Sequence, residues 1–391
     1  MISVIEAKNM IAENVKTFSP ACLRLQLSAG LILAKDIYAP VNIPAFPQSG
    51  MDGYALAFSS ITKQIKIEGE QAAGNHLKIT IKPGTAVRIF TGAVVPEGAD
   101  TVVMQEKTKV ADGYLLIEDD KLKTGDNVRL PGTEIAKDAL ALTAGTRLTP
   151  AAIGFLAGMG IAEVDVIPNA RVSIIVTGNE LQNPGTAAEY GKVYESNSFA
   201  LLAALKQIHI TDVAVYTSED DINALTKVLS EALLKTDIVL MTGGVSVGDY
   251  DFTVKASENC GVQKIFHKIK QKPGKPIFFG KKENVLFFGL PGNPASVLTC
   301  FYQYVLPALE KLTTQKLLLE TKRFPLFSLY KKPAGITHFL KGICDGTHVH
   351  LPQDQESYKL NSFATANCLV MIPETITEAA AGENVEIHLL P

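Results

Sequence analysis

The stretch IVLMTGGVSVGDYDF, residues 238–252, opens on four consecutive apolar residues, breaks at two glycines and closes on two carboxylates. A short apolar run bounded by glycine reads as a strand buried on both faces. Upstream lie a second such run at 172–176, a helix-spaced segment at 197–207, a strand-like run at 213–216 and a further helical segment at 221–234. Downstream come strand-like runs at 277–279 and 285–288, then helical spacing from Pro294 to about Leu312. Strand and helix in alternation specify a parallel sheet covered by helices, a doubly wound α/β domain over residues 169–318.

In such a sheet, ligands bind beyond the carboxyl ends of the strands. Three loops leave those ends: Thr177-Gly178-Asn179-Glu180, then Thr242-Gly243-Gly244-Val245-Ser246, then Leu290-Pro291-Gly292-Asn293-Pro294. Glycine lets backbone amides approach an anion, and Asn293 can cap a helix begun by Pro294, aiming its positive end into the crevice. Lys268, Lys270 and Lys272 alternate just before a Pro-Gly turn that ends in Lys275. On an extended segment the first three would share one face and converge on an anion. The carboxylates Glu180, Asp220, Asp221, Asp249 and Asp251 lie in the same domain. Oxygen ligands beside phosphate-binding loops suit Mg²⁺, although Asp220 and Asp221 also suit the first turn of a helix. Gly244 to Gly248 reads G-x-S-x-G around Ser246, yet neither a Gly-rich oxyanion motif nor a clear triad histidine accompanies it. His348 and His350 lack a third ligand at zinc spacing. The residues alone therefore point to a metal-assisted enzyme, or a binder, acting on a phosphorylated small molecule.

Outside this domain the pattern changes. Residues 3–15 and 23–37 are expected to form opening helices, and three prolines between Ala39 and Ser49 make a rigid connector. Short strand-like runs at 65–67, 77–81, 86–90, 101–104 and 114–117 form a β-rich insert spanning 46–130. A helix begun by Pro150 lies in residues 131–168, which are expected to pack back on residues 1–45 as one discontinuous domain. Residues 319–391 read as a small β-barrel. The 391 residues fit several domains at roughly 100 to 200 residues each. With 37 basic and 40 acidic side chains the net charge is -3, so no global field recruits nucleic acid or an anionic membrane. No apolar run reaches the roughly 20 residues that span a bilayer, and five scattered cysteines suggest reduced thiols, so a cytoplasmic location is expected.

Six stretches in order carry a more specific message. IPAFPQSGMDGYA (43–55), RIFTGAVVPEGADTVVMQE (88–106), TGNEL, TGGVSVGDYDF, KPGKP and GLPGNPAS resemble the MoeA family of molybdopterin molybdenumtransferases, related to the gephyrin E domain. The resemblance implies an elongated four-domain subunit whose third domain is MogA/MoaB-like. It further implies a homodimer with the active site shared between subunits, and admits a partnership with the molybdopterin adenylyltransferase. The implied reaction inserts molybdate into adenylylated molybdopterin with Mg²⁺-dependent release of AMP, the last step of molybdenum cofactor synthesis. Glu180, Asp220 and Asp251 then match the acidic and metal positions, and Lys268 and Lys272, with Lys275 beside them, match the basic ones. Asp52 and Thr91 match second-domain site positions, Pro291 and Pro294 shape the third loop, and Ser357 matches a C-terminal-domain position. The chain departs from the family at Ile336, where an Arg is frequent, and at Lys341, which offers a point charge where a second Arg offers a fork. A non-catalytic carrier, an adenylyltransferase and a tungstate-specific relative remain the alternative readings.

Overall fold

A computed structural model describes residues 1–391 apart from 76–77, 245–251 and 318. The chain divides into two compact units.

One unit comprises Cys22–Ala29 and Leu33–Val166. Its centre is a six-stranded sheet in the order Thr101–Met104, Gly53–Leu56, Thr85–Ile89, Ile65–Gln71, Tyr114–Ile117, Thr108–Ala111. Successive residues of a strand face opposite ways, and here both faces are apolar. Ala55, Ile89 and Val102 pack on one side, while Leu56, Ala86, Val103 and Leu115 pack on the other. Of the expected strand at 77–81, the described part contributes an isolated bridge between Thr80 and Glu97. The helix begun by Pro150 runs Pro150–Gly158, with Thr149 accepting from the Ala152 N–H. The expected second opening helix does not form. Its residues make the short strands Ala21–Arg24, Ile32–Leu33 and Ile37–Tyr38 around a 3-10 turn, Leu25–Leu27. The Ser28 hydroxyl donates back to Leu25 O, and Gly30 takes φ +80°, which ends any helical run.

The other unit comprises Met1–Ala21, Gly30–Ile32 and Ile167–Pro391. Its first helix, Val4–Asn14, starts at a reciprocal Ser3–Glu6 capping box and buries Val4, Ala7 and Ile11. The central sheet runs Val213–Ser218, Val172–Thr177, Ile238–Thr242, Val285–Leu290, Phe278–Lys282, Gln263–His267. The first four strands are parallel; Phe278–Lys282 runs against them because a tight hairpin joins it to 285–290, and Gln263–His267 pairs antiparallel with it, returning to the direction of the first four. Ile174, Leu240 and Phe288 face one helical layer, and Ile175, Val239 and Phe287 face the other. This double burial is why these strands read as unbroken apolar runs rather than as alternating ones.

The expected long helix is divided: Pro294–Cys300, a π turn Phe301–Val305, then Leu306–Thr313. Pro307 has no N–H to return to the carbonyl of Gln303, so the hydrogen-bond ladder must shift there. A C-terminal sheet follows in the order Gln271–Lys272, Thr337–Cys344, Cys368–Ile372, Asn384–Leu389, Thr321–Pro325. Its first strand belongs to the α/β segment and pairs Lys272 with His338, so the lysine turn is fastened to the C-terminal sheet. Among the described residues no helix is long and apolar enough to cross a membrane.

Candidate active site

Because strands 172–177, 238–242 and 285–290 are neighbours and parallel, their loops emerge side by side at one end of the sheet. The approach is tightest between the first two. Gly243 takes φ +88°, and a Cβ there would lie 2.2 Å from Thr177 O. Only glycine fits. The Thr177 hydroxyl donates to Asp220 Oδ1 at 2.5 Å, the Asn179 N–H donates to Asp220 Oδ2, and Asn179 Oδ1 accepts from the Asp220 N–H. Asp220 thereby holds the first loop in shape. Asp221 caps the helix Ile222–Leu233, accepting from the Asn223 and Ala224 amides.

The lysine turn rests on a buried polar cluster. Gln271 is 1% exposed; its amide donates to Pro273 O at 2.8 Å, and its Oε1 accepts from the Tyr304 hydroxyl. Gly274, at φ +94°, lies where a Cβ would come within 2.5 Å of Cys300 Sγ. Burial raises both the Cys300 thiol and the Tyr304 phenol above their ordinary pKa values, so both stay protonated. Such a pedestal holds the backbone that carries Lys272 and Lys275. Lys268, by contrast, takes φ +67°, which breaks the extended alternation expected of 268, 270 and 272. Lys270 turns toward Glu374 at 3.9 Å.

A third wall comes from the C-terminal segment. Asn293 makes no side-chain cap; its Nδ2 donates to Ser357 Oγ at 2.8 Å, while the Ala295 N–H donates to Ser357 O at 3.1 Å. The helix start expected to be free for an anion is thus partly occupied by the protein's own serine. Lys341 explains how the serine is held. It is 4% exposed, and its Nζ donates to Glu356 O and Lys359 O at 3.2 and 3.0 Å. The Gln355 side chain takes up both the N–H and the carbonyl of Lys341. Burial pulls the Lys341 ammonium below the ordinary lysine pKa. This cation braces the loop from behind and is not the anion ligand suggested by its position in the sequence.

Together these loops enclose a cleft of about 760 Å³. Of the expected residues, Thr177, Glu180, Gly243, Lys272, Lys275, Pro291, Gly292, Asn293, Pro294 and Ser357 line it. Gly178, Asp220, Gly244 and Lys268 are not among its lining residues. Ser246, Asp249 and Asp251 lie outside the described residues. Ile336 lines the cleft. Sequence reading missed Glu195, Asn197, Gln271 and Tyr358, which also line it. Glu195 is 7% exposed, and its carboxylate accepts from the Ser198 N–H and hydroxyl. Asn197 donates to Gly292 O at 2.8 Å, a contact across 95 positions that no local pattern signals.

In the other unit the Thr91 N–H and hydroxyl both donate to Asp52 Oδ1 at 2.7 Å. These bonds, the backbone one foremost, hold the Asp52 carboxyl below its usual pKa. The two residues drawn from distant motifs are therefore partners. Among the described residues no group of three His, Cys, Asp or Glu side chains converges as for a metal ion. Mg²⁺ is nonetheless commonly held by one or two carboxylates together with substrate phosphates and water. Glu180 suits that role: it lines the cleft with the two lysines, and its carboxylate has no partner among the described residues.

Comparison with known proteins agrees with this architecture along the whole chain. Residues 2–160 match the MoeA N-terminal region (domains I and II), 173–311 match a probable molybdopterin binding domain, and 325–390 match the MoeA C-terminal region (domain IV). The molybdopterin molybdenumtransferase of Haemophilus influenzae is 36% identical, over 94% of each chain. That of Bacillus subtilis is 31% identical, over 100% of this chain and 94% of its own. The crystal structure of a molybdopterin biosynthesis MoeA protein from Pyrococcus horikosii superposes with a TM-score of 0.80 at 28% identity, covering 100% and 99% of the two chains. Matched from end to end, the chain belongs to the MoeA family of molybdopterin molybdenumtransferases.

Proposed function

We propose that this transferase of molybdenum cofactor synthesis works in the cytoplasm, inserting molybdate into the dithiolene of adenylylated molybdopterin while the phosphoanhydride is cleaved and AMP leaves. The observation that carries this reading is the cleft itself: two braced lysines, glycine-lined strand ends and the Glu180 carboxylate in a single cavity. Adenylylated molybdopterin carries a pyrophosphate and molybdate is a dianion, so the site must neutralise several negative charges at once. Lys272 and Lys275 bring positive charge to the cleft from a braced backbone, where it can offset the charge that develops on the phosphoryl oxygens. Gly243 and Gly292 leave the backbone bare for close approach. Glu180 would hold Mg²⁺, which when bound supplies further neutralisation of the phosphates. Asp52 and Thr91, contributed by a second copy of the chain, would complete the site of a homodimer. Asp52, its pKa lowered by the Thr91 hydrogen bonds, stays ionised at neutral pH and can accept a hydrogen bond there.

Lys272→Met removes a cation but keeps a similar stem. Molybdate-dependent AMP release should fall on the order of a hundredfold to a thousandfold with the circular dichroism spectrum unchanged. Release at the wild-type rate would remove Lys272 from the mechanism.

A further inference from the structure

The charged floor of the cleft accounts for phosphate and molybdate, but not for an exposed aromatic ring on its lining. Tyr358, on the loop braced by Lys341, lines the cleft and is 62% exposed. Its ring meets no other aromatic ring, and its phenol no hydrogen-bond partner, among the described residues. An aromatic ring left in water forgoes its burial free energy, and on a mobile surface loop that would be unremarkable. This loop, however, is tied at five points. Lys341 and Gln355 hold it from within, Lys359 pairs with Asp354 at 2.5 Å, the Ser362 hydroxyl donates to Asp354 O, and Ser357 docks on Asn293. A second ring on the lining, Tyr194, is 45% exposed and is pinned by its hydroxyl to Thr186 O. Exposed aromatic faces carried on tied backbone beside an anion cleft match a ligand that has a flat ring at the end of a phosphate.

We propose that Tyr358 stacks on a flat nitrogen heterocycle of the substrate, and that Lys341 acts as a positioning residue by holding the loop that presents it. The proposal rests on the reading above, in which the substrate carries two such heterocycles, an adenine and a pterin. Both share the chemistry of a polarised aromatic face, so the experiment is built to tell them apart.

The chain contains no tryptophan, so Tyr358→Trp installs a single fluorophore at the cleft. Leu27→Trp, on an exposed residue of the other unit, serves as the control for optical and collisional effects. Titration with AMP and, separately, with free pterin should quench the introduced indole saturably for one probe, identifying the ring that stacks. Silence to both, or the same response as the control, overturns the proposal. In steady-state assays Tyr358→Ala should raise KM about tenfold with a much smaller change in kcat, and Tyr358→Phe should restore most of the loss. An unchanged KM in Tyr358→Ala overturns it as well. If the wild-type protein releases no AMP, the proposed reaction fails, while the fluorescence still decides whether the ring binds a heterocycle.

Discussion

Gly243 shows most plainly how one residue governs the cleft. Its position needs both a left-handed φ and the absence of a Cβ that would stand 2.2 Å from a carbonyl oxygen. Gly243→Ala should lower stability in urea unfolding by about 1–3 kcal/mol or more, and abolish AMP release by prising the first two loops apart. The glycine was legible in the sequence as a strand-end feature. Its reason was not, because Thr177 lies 66 positions upstream and comes close only through sheet order. Lys341 teaches the converse lesson. A lysine where the family resemblance implies a cation reads as an anion contact, yet burial and two carbonyl acceptors make it a brace. Lys341→Met takes the donor from the Lys359 carbonyl, at a cost of about 1–3 kcal/mol if that oxygen stays dry, while the Glu356 carbonyl keeps the Lys359 N–H. Hydrogen exchange at Ala295, whose amide donates to the Ser357 carbonyl, should then quicken while strand 238–242 stays protected.

Among elements, the strand pair Gln271–Lys272 and Thr337–Cys344 is where the cleft meets the C-terminal sheet. His338, opposite Lys272, is buried against the Tyr330 hydroxyl, and burial first, then the charges of Lys332 and Lys272, lower its pKa to about 4. The unfolded chain takes up this proton near pH 6.5 and the folded one only near 4, so stability should fall as pH drops through that interval. His338→Gln should flatten this dependence in melting curves taken from pH 7 to 4; an unchanged slope would show that His338 is not its source. The central strands were readable because burial on both faces leaves unbroken apolar runs, and the helices at 197–207 and 222–233 because their apolar spacing is local. The lysine turn was not readable. Its shape depends on Gln271, Tyr304 and Cys300, brought together by a π turn some 30 residues away. The opening segment at 23–37 misled because it is apolar without helical phase, and Gly30 interrupts it.

At the scale of the whole molecule, the division of the expected site residues is the feature to explain. Lys272, Lys275, Glu180 and Ser357 belong to one unit, while Asp52 and Thr91 form a bonded pair in the other. If two copies share each site, Asp52→Asn and Glu180→Gln should each be inactive alone. Co-expressed with separate tags and purified as the mixed dimer, they should regain about half the wild-type rate, because one of the two sites is then intact. No recovery in the mixed dimer would place all of these residues in a single chain's site.

The most direct test gives the purified protein adenylylated molybdopterin and Mg²⁺, with and without molybdate, and counts AMP released and molybdenum bound to the pterin product. The account expects both to appear together, one to one, and only when molybdate is present. AMP release at the same rate without molybdate, or binding of the nucleotide with no release at all, would contradict it.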